Sequence, residues 1–288
     1  MPRLCYVNGR FIPHHRAQVI DIEDRGFQFA DGIYEVVGWL NGKPLDKEAH
    51  LDRLQRSLDA LNIHMPMARA VLSIKIDQLV KYNALHEGLV YIQVTRGAAP
   101  RNHINPSPAP QPSLIMTTKA SKLWDMAKFQ RGIKAISMPD LRWKRCDIKT
   151  INLVANCMAR TQAFDEGAGE ALLLNDAGEI IEGAASTAWL INDQGQLITH
   201  PIGSGAILPG ITRESLLGLI QQTGLDLVER PFSLNEAYGA NALFITAAST
   251  LMMPITMLDG KQIADGKPNP YIDALRQNYY DHLMQQQA

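Results

Sequence analysis

Cysteine is scarce in this chain. Cys5, Cys146 and Cys157 are the three in 288 residues. Their spacing fits neither a zinc site nor a paired framework, so no metal is expected. They read as free thiols of a reducing compartment. An excess of one charge sign is also lacking: 28 Lys and Arg face 29 Asp and Glu, for a formal net charge of -1. With no long basic run, neither nucleic acid nor an acidic membrane surface is an expected partner. No apolar stretch approaches the roughly 18 residues that would mark a membrane span. The opening "MPRLCYVNGRF" has no long apolar core of a secretory kind. These absences leave a cytoplasmic protein that handles small molecules as the expectation.

What is present is enough apolar material for a large core, 46% of the residues. "LCYVNGRFI" reads as a hairpin about Asn8-Gly9, and "IYEVVGWLNGKPL" repeats the device about Asn41-Gly42. Leu51, Leu54, Leu58 and Leu61 recur every three or four residues and predict a helix over 47–61. A second helix is expected over 68–83 and a strand over 89–97. The Pro-rich "NPSPAPQPS" reads as a stiff loop, because the strand-like "LIMTT" follows at once. In the second half, "GIKAISM", "EALLLND", "GEIIEG", "TAWLIND" and "ALFITAAS" are expected strands. Helices are expected over 151–166, 212–223 and 271–283. Hairpins mixed with helices argue for an α+β fold, not a doubly wound parallel sheet. The expected organisation is a smaller domain over 1–120, a linker over 121–129 and a larger domain over 130–288.

Lys149 lies in "KRCDIKTINL", and taken alone, between a strand-like segment and a helix, it reads as a surface charge and not as a buried amine. Its company changes that balance. Glu182 ends the apolar strand "IIEG". "LPGITRES" sets a Pro-Gly turn at a helix start, where unpaired backbone N–H groups make an anion site, and Thr212 adds a hydroxyl. Arg53, within "HLDRL", either snorkels from the edge of the core or points its fork at a phosphate. Pyridoxal phosphate needs these things together: a lysine for a Schiff base, a carboxylate to keep the ring nitrogen protonated, and a phosphate cradle.

In their order along nearly the whole chain, "DRGFQFADGIYEVV", "HLDRL", "VTRGAAPRNH", "DIKTINL", "EGAAST" and "LPGITRE" resemble the class IV, fold-type IV pyridoxal-phosphate aminotransferases, and within them the D-amino acid aminotransferases. The resemblance implies a two-domain fold-type IV enzyme and a homodimer, with loops of one subunit closing the other's site. It implies Lys149 as the Schiff-base lysine and Glu182 as the partner of the pyridine nitrogen. Arg53, Ile211 and Thr212 are implied at the phosphate, and Leu208 against the ring. Two positions depart from the family pattern. Thr187 stands where relatives commonly have Asn. Ala248, with Ser249 beside it, stands where relatives offer a Thr hydroxyl to the phosphate.

Arg101 and His103 are two apart in "PRNH", so on an extended loop they face one side. A solvated polar loop would look the same. In the D-amino acid aminotransferases the matching pair, with the tyrosine of "DGIYEVV", holds the substrate carboxylate, which implies Arg101, His103 and Tyr34. Tyr91 matches a tyrosine near the site in relatives, although a plain strand aromatic fits as well. The implied reaction is transamination of D-alanine-like amino donors with 2-oxo acids such as pyruvate or 2-oxoglutarate. The rivals are an (R)-amine or branched-chain transaminase, an aminodeoxychorismate lyase of the same fold, and a non-catalytic ligand-binding module.

Overall fold

Asn8 and Gly9 both adopt positive φ, at 43° and 96°, and so do Asn41 and Gly42, at 53° and 78°. These are the residue types and signs that a two-residue hairpin requires. The computed structural model describes residues 3–17, 20–220 and 223–285, and it turns both segments into hairpins. They belong to the first of two compact units, Met1–Leu123 together with Ile148–Asn152; the second is Trp124–Asp147 with Leu153–Ala288.

The strands of the first unit are β1 (Leu4–Val7), β2 (Arg10–Pro13), β3 (Gly32–Leu40), β4 (Lys43–Pro44), β5 (Gly88–Thr95) and β6 (Ser113–Ala120); its helices are α1 (Arg25–Phe29), α2 (Lys47–Ala60) and α3 (Arg69–Tyr82). The strands form an antiparallel sheet in the order β2-β1-β6-β5-β3-β4. Alternation decides which face is core. Val90, Ile92 and Val94 of β5 are fully buried, and Leu89, Tyr91 and Gln93 are half-buried. The core face is covered by the leucine stripe of α2, Leu51, Leu54 and Leu58, and by Leu72, Ile76 and Leu79 of α3. The Pro-rich stretch is a loop that leads into β6.

The second unit carries α4 (Met126–Arg131), β7 (Ile133–Pro139), α5 (Val154–Asp165), β8 (Glu170–Leu174), β9 (Glu179–Gly183), β10 (Thr187–Ile191), β11 (Gln196–Thr199), α6 (Ile211–Leu219), β12 (Asp226–Glu229), β13 (Phe232–Ser233), α7 (Leu234–Tyr238), β14 (Ala242–Ala247), β15 (Leu251–Leu258), β16 (Lys261–Gln262) and α8 (Pro270–Gln285). Its sheet runs β12-β11-β10-β14-β15-β7-β8-β9-β13, with β16 on β15. The β15–β7, β7–β8 and β11–β12 pairs are parallel and the others antiparallel. Every residue of β10 is buried, so a continuous apolar run replaces alternation there. Mixed sheets with helices make the fold α+β.

The structure departs from the sequence reading at two elements. The helix expected over 151–166 starts only at Val154, because Ile148–Asn152 is drawn to the outer edge of β3. There Tyr34 N–H donates to Lys149 O at 2.9 Å, Ile151 N–H donates to Gly32 O at 3.1 Å, and Thr150 Oγ1 donates to the same oxygen at 3.1 Å. An unpaired strand edge is satisfied in this way. Gly32 permits the approach, since a Cβ there would lie 2.7 Å from Val94 O and 3.2 Å from Ile151 Cδ1. Of the helix expected over 212–223, Ile211–Leu219 is α-helical, and residues 221 and 222 lie outside the described residues. The sequence reading assigned no element to 251–258, yet this is an eight-residue strand. Pro254 obscures it, and the strand takes up an irregularity between Ile255 and Met257 against β7.

Candidate active site

Lys149 sits on the strand-edge segment of the first unit and is half-buried. Its backbone N–H donates to Ser57 Oγ of α2 at 3.2 Å. Its Nζ lies 4.3 Å from the centroid of the Tyr34 ring. Tyr34 in turn stacks on Tyr91, with centroids 5.8 Å apart and planes at 28°. Tyr34 and Tyr91 sit on neighbouring strands and share the half-buried face of the sheet. Tyr91 donates to Gln93 Oε1 at 2.7 Å. Burial, with Tyr34 beside it, pushes the Tyr91 phenol up to about 12. Lys149, Tyr34 and Tyr91 therefore fall in one row: an amine held against the Tyr34 ring, which is itself backed by Tyr91.

Arg53 does not snorkel. It is 5% exposed, and Glu35 of β3 takes its Nε at 2.9 Å and its Nη2 at 2.6 Å. Glu35 is completely buried; His50 Nδ1 lies 3.3 Å from the same carboxylate. Burial pushes Glu35 up, but Arg53 and His50 outweigh it and hold the carboxyl well below the usual range.

Arg101 and His103 are exposed, and both meet Phe29. The Arg101 guanidinium carbon is 4.6 Å from the ring centroid, and the His103 ring is 5.4 Å away. The two-residue spacing does place them on one side. Their loop is tied down from within the unit. Arg25 Nη1 donates to Asn102 O at 2.6 Å, while its Nε donates to Asp31 at 2.8 Å. Arg96 adds two bonds to Asp31, from Nε at 2.7 Å and Nη2 at 3.0 Å. Burial pushes the Asp31 carboxyl up, but the two arginines outweigh it and lower it overall.

In the second unit, Glu182 is 4% exposed. Its Oε1 accepts from Leu208 N–H at 3.0 Å, and its Oε2 pairs with Arg142 Nη1. Arg142 is itself held by Asp140 through two bonds, at 2.9 and 2.8 Å. Leu208 is thus tied to Glu182 by its own backbone. Two residues on, Gly210 caps α6 with no side-chain hydrogen bond, and Ile211 and Thr212 open the helix. Thr187 Oγ1 lies against Gly210, 3.0 Å from where a Cβ would stand. Ala248 and Ser249 fall in the turn after β14. In that turn Thr250 Oγ1 is buried without a hydrogen-bond partner. Within the second unit, a helix start with no side-chain cap, an orphaned hydroxyl and a buried carboxylate suit the phosphate and ring nitrogen of pyridoxal phosphate; within the first, an amine beside an aromatic ring suits its aldehyde. Cys146 is buried and donates to Trp143 O at 3.0 Å. Burial is the main cause that pushes its thiol up to about 11, so it is packing and not a nucleophile.

Glu35, Ser57, Arg142 and Thr250 were missed in the sequence reading. Glu35 left a signal: in "IYEVV" it shares the face of Ile33 and Val37, which is the core face. Arg142 left none, because "LRWKR" has the look of a solvated basic run.

The chain matches the family model for class IV amino-transferases over residues 32–258. It is 38% identical over 275 residues to a D-alanine aminotransferase of Listeria innocua, with 95% of this chain and 93% of that protein covered. It is 36% identical to the D-alanine aminotransferase of Bacillus licheniformis, with 91% of each covered. In structure it is similar to the branched-chain amino acid aminotransferase of Escherichia coli at TM-score 0.88 and 19% identity, covering 98% of this chain and 95% of that one. A hypothetical aminotransferase of Mycobacterium tuberculosis in a PLP-bound form aligns at TM-score 0.81 and 18% identity, covering 98% and 99%. The fold is that of the fold-type IV enzymes. The chain belongs to the class IV aminotransferase family.

Proposed function

We propose that this aminotransferase moves the amino group of D-alanine-like D-amino acids to 2-oxo acids such as pyruvate or 2-oxoglutarate, with pyridoxal phosphate as cofactor. The observation that carries the D-amino acid reading is the Arg101–His103 pair on the Phe29 ring, in a chain whose relatives are named D-alanine aminotransferases. When bound, the cofactor supplies an aldehyde that takes up an amine and a ring that accepts the electron pair left at the substrate's Cα. Lys149 would hold the cofactor through that aldehyde and, with its amine free, would move the proton at the substrate's Cα. Tyr34 limits where its Nζ can go. Glu182 would keep the ring nitrogen protonated, and Arg142 pairs with the Glu182 carboxylate behind it. Arg53, the N–H groups of Ile211 and Thr212, and the turn at Ala248 and Ser249 hold the phosphate. Leu208 packs on the ring. Arg101 and His103, with Tyr34, take the substrate carboxylate by charge-assisted hydrogen bonds, and Tyr91 lines the same face as Tyr34.

We place the enzyme in the cytoplasm, consistent with three free thiols, and in a homodimer, consistent with the exposure of the Arg101 loop. No helix among the described residues is long and apolar enough to cross a membrane. A panel of D-amino acids, L-amino acids and (R)-amines, each offered with pyruvate and with 2-oxoglutarate, tests the reading. D-alanine should lead. Preference for branched L-amino acids or for amines without a carboxylate would replace it with one of those transaminase activities.

A further inference from the structure

Glu35 is an acid placed where the sheet calls for an apolar residue. It lies between Ile33 and Val37 on the core face of β3, and all three are 0% exposed. Its carboxylate accepts from Arg53 Nε at 2.9 Å, from Arg53 Nη2 at 2.6 Å and from Val36 N–H at 3.1 Å. His50 and Arg53 reach it from one face of α2, three residues apart. An ion pair this deep is a poor device for stability. Two apolar residues of similar volume would serve the core as well or better, because the charges must first be stripped of water. What the pair does provide is a guanidinium that cannot change rotamer. Both ends of its Nε–Nη2 edge are fixed by one planar carboxylate.

We propose that Glu35 is a positioning residue, which sets the guanidinium of Arg53 for the phosphate of the cofactor, with His50 behind it. The inference rests on the reading of Arg53 as a phosphate-binding residue. A side chain fixed before the ligand arrives loses less conformational freedom on binding. Coulomb attraction alone makes the opposite forecast: removing a negative charge beside Arg53 should strengthen its hold on a phosphate. The sign of the effect therefore distinguishes the two.

The test compares the affinity of the cofactor-stripped full chain for pyridoxal phosphate and for pyridoxal, which lacks the phosphate. Glu35→Gln should lower the pyridoxal phosphate to pyridoxal affinity ratio by about ten- to a hundredfold, the scale of a charge-assisted hydrogen bond. Affinity for pyridoxal itself should stay within about twofold. In an Arg53→Met background, Glu35→Gln should move the ratio no further, since Glu35 acts through Arg53. Glu35→Asp keeps the charge but is one methylene too short to span both nitrogens, so it should lower the ratio part of the way. That arm decides the matter if Glu35→Gln does not fold. A ratio that rises or stays put, an equal loss for both ligands, or additive losses with Arg53→Met would overturn the inference. A wild-type chain that takes up neither ligand would instead overturn the proposed function.

Discussion

Asp31→Asn is the substitution whose effect follows most directly from the structure. One carboxylate, 13% exposed, serves two arginine side chains that are 4% and 9% exposed. The amide keeps the shape and removes the charge, which leaves Arg25 and Arg96 facing each other without compensation. Removing one partner of a buried ion pair costs about 3–5 kcal/mol, and the low exposure of all three groups places this case in that range. Urea unfolding of wild type and variant at pH 7 measures it. The dependence on pH adds a second check. The folded carboxyl is lowered below its unfolded value of about 3.9. Its contribution is therefore fully present above that value and is lost as pH falls through the folded one. The gap between wild type and Asp31→Asn should hold from pH 7 to pH 5 and narrow towards pH 3. Arg25 also donates to Asn102 O, so the variant's Arg101 loop should be cut more readily by trypsin under native conditions. A gap below about 1 kcal/mol, or one that stays constant into acid, would refute the idea that Asp31 acts as an ionised clamp.

Lys149→Ala should abolish transamination, and borohydride trapping of the wild type should place the cofactor adduct on Lys149 and on no other lysine. Glu182→Gln should retain fold and cofactor but slow both half-reactions on the order of a hundredfold, read by cofactor absorbance; wild-type rates would make Glu182 a strand-end residue only. Arg101→Ala should lower the specificity constant for D-alanine by roughly 10- to 200-fold, the equivalent of about 1.5–3 kcal/mol, and spare (R)-1-phenylethylamine, where that amine is used at all. An unchanged ratio between the two substrates would remove Arg101 from the carboxylate site.

Local chemistry alone determined a good part of this protein. Asn-Gly pairs can hold positive φ, so both hairpins follow from residue type, and the leucine period of α2 follows from 3.6 residues per turn. The order of "HLDRL", "DIKTINL", "EGAAST" and "LPGITRE" was enough to indicate the family, because each motif keeps its own local job wherever the chain carries it. What lay beyond the sequence depends on partners distant along the chain. Residues 151–153 have the composition of a helix start, but the open edge of β3 offers Ile148–Asn152 hydrogen bonds that a first helical turn lacks, and this pairing turns Lys149 onto Tyr34. Pro254 argues against a strand until β14 and β7 stand on either side of it. Arg53 could be assigned to solvent or to phosphate from its helix alone. Only the burial of Glu35, 18 residues earlier, removes the first choice, since a guanidinium so enclosed needs an anion and the folded sheet is what brings one within reach.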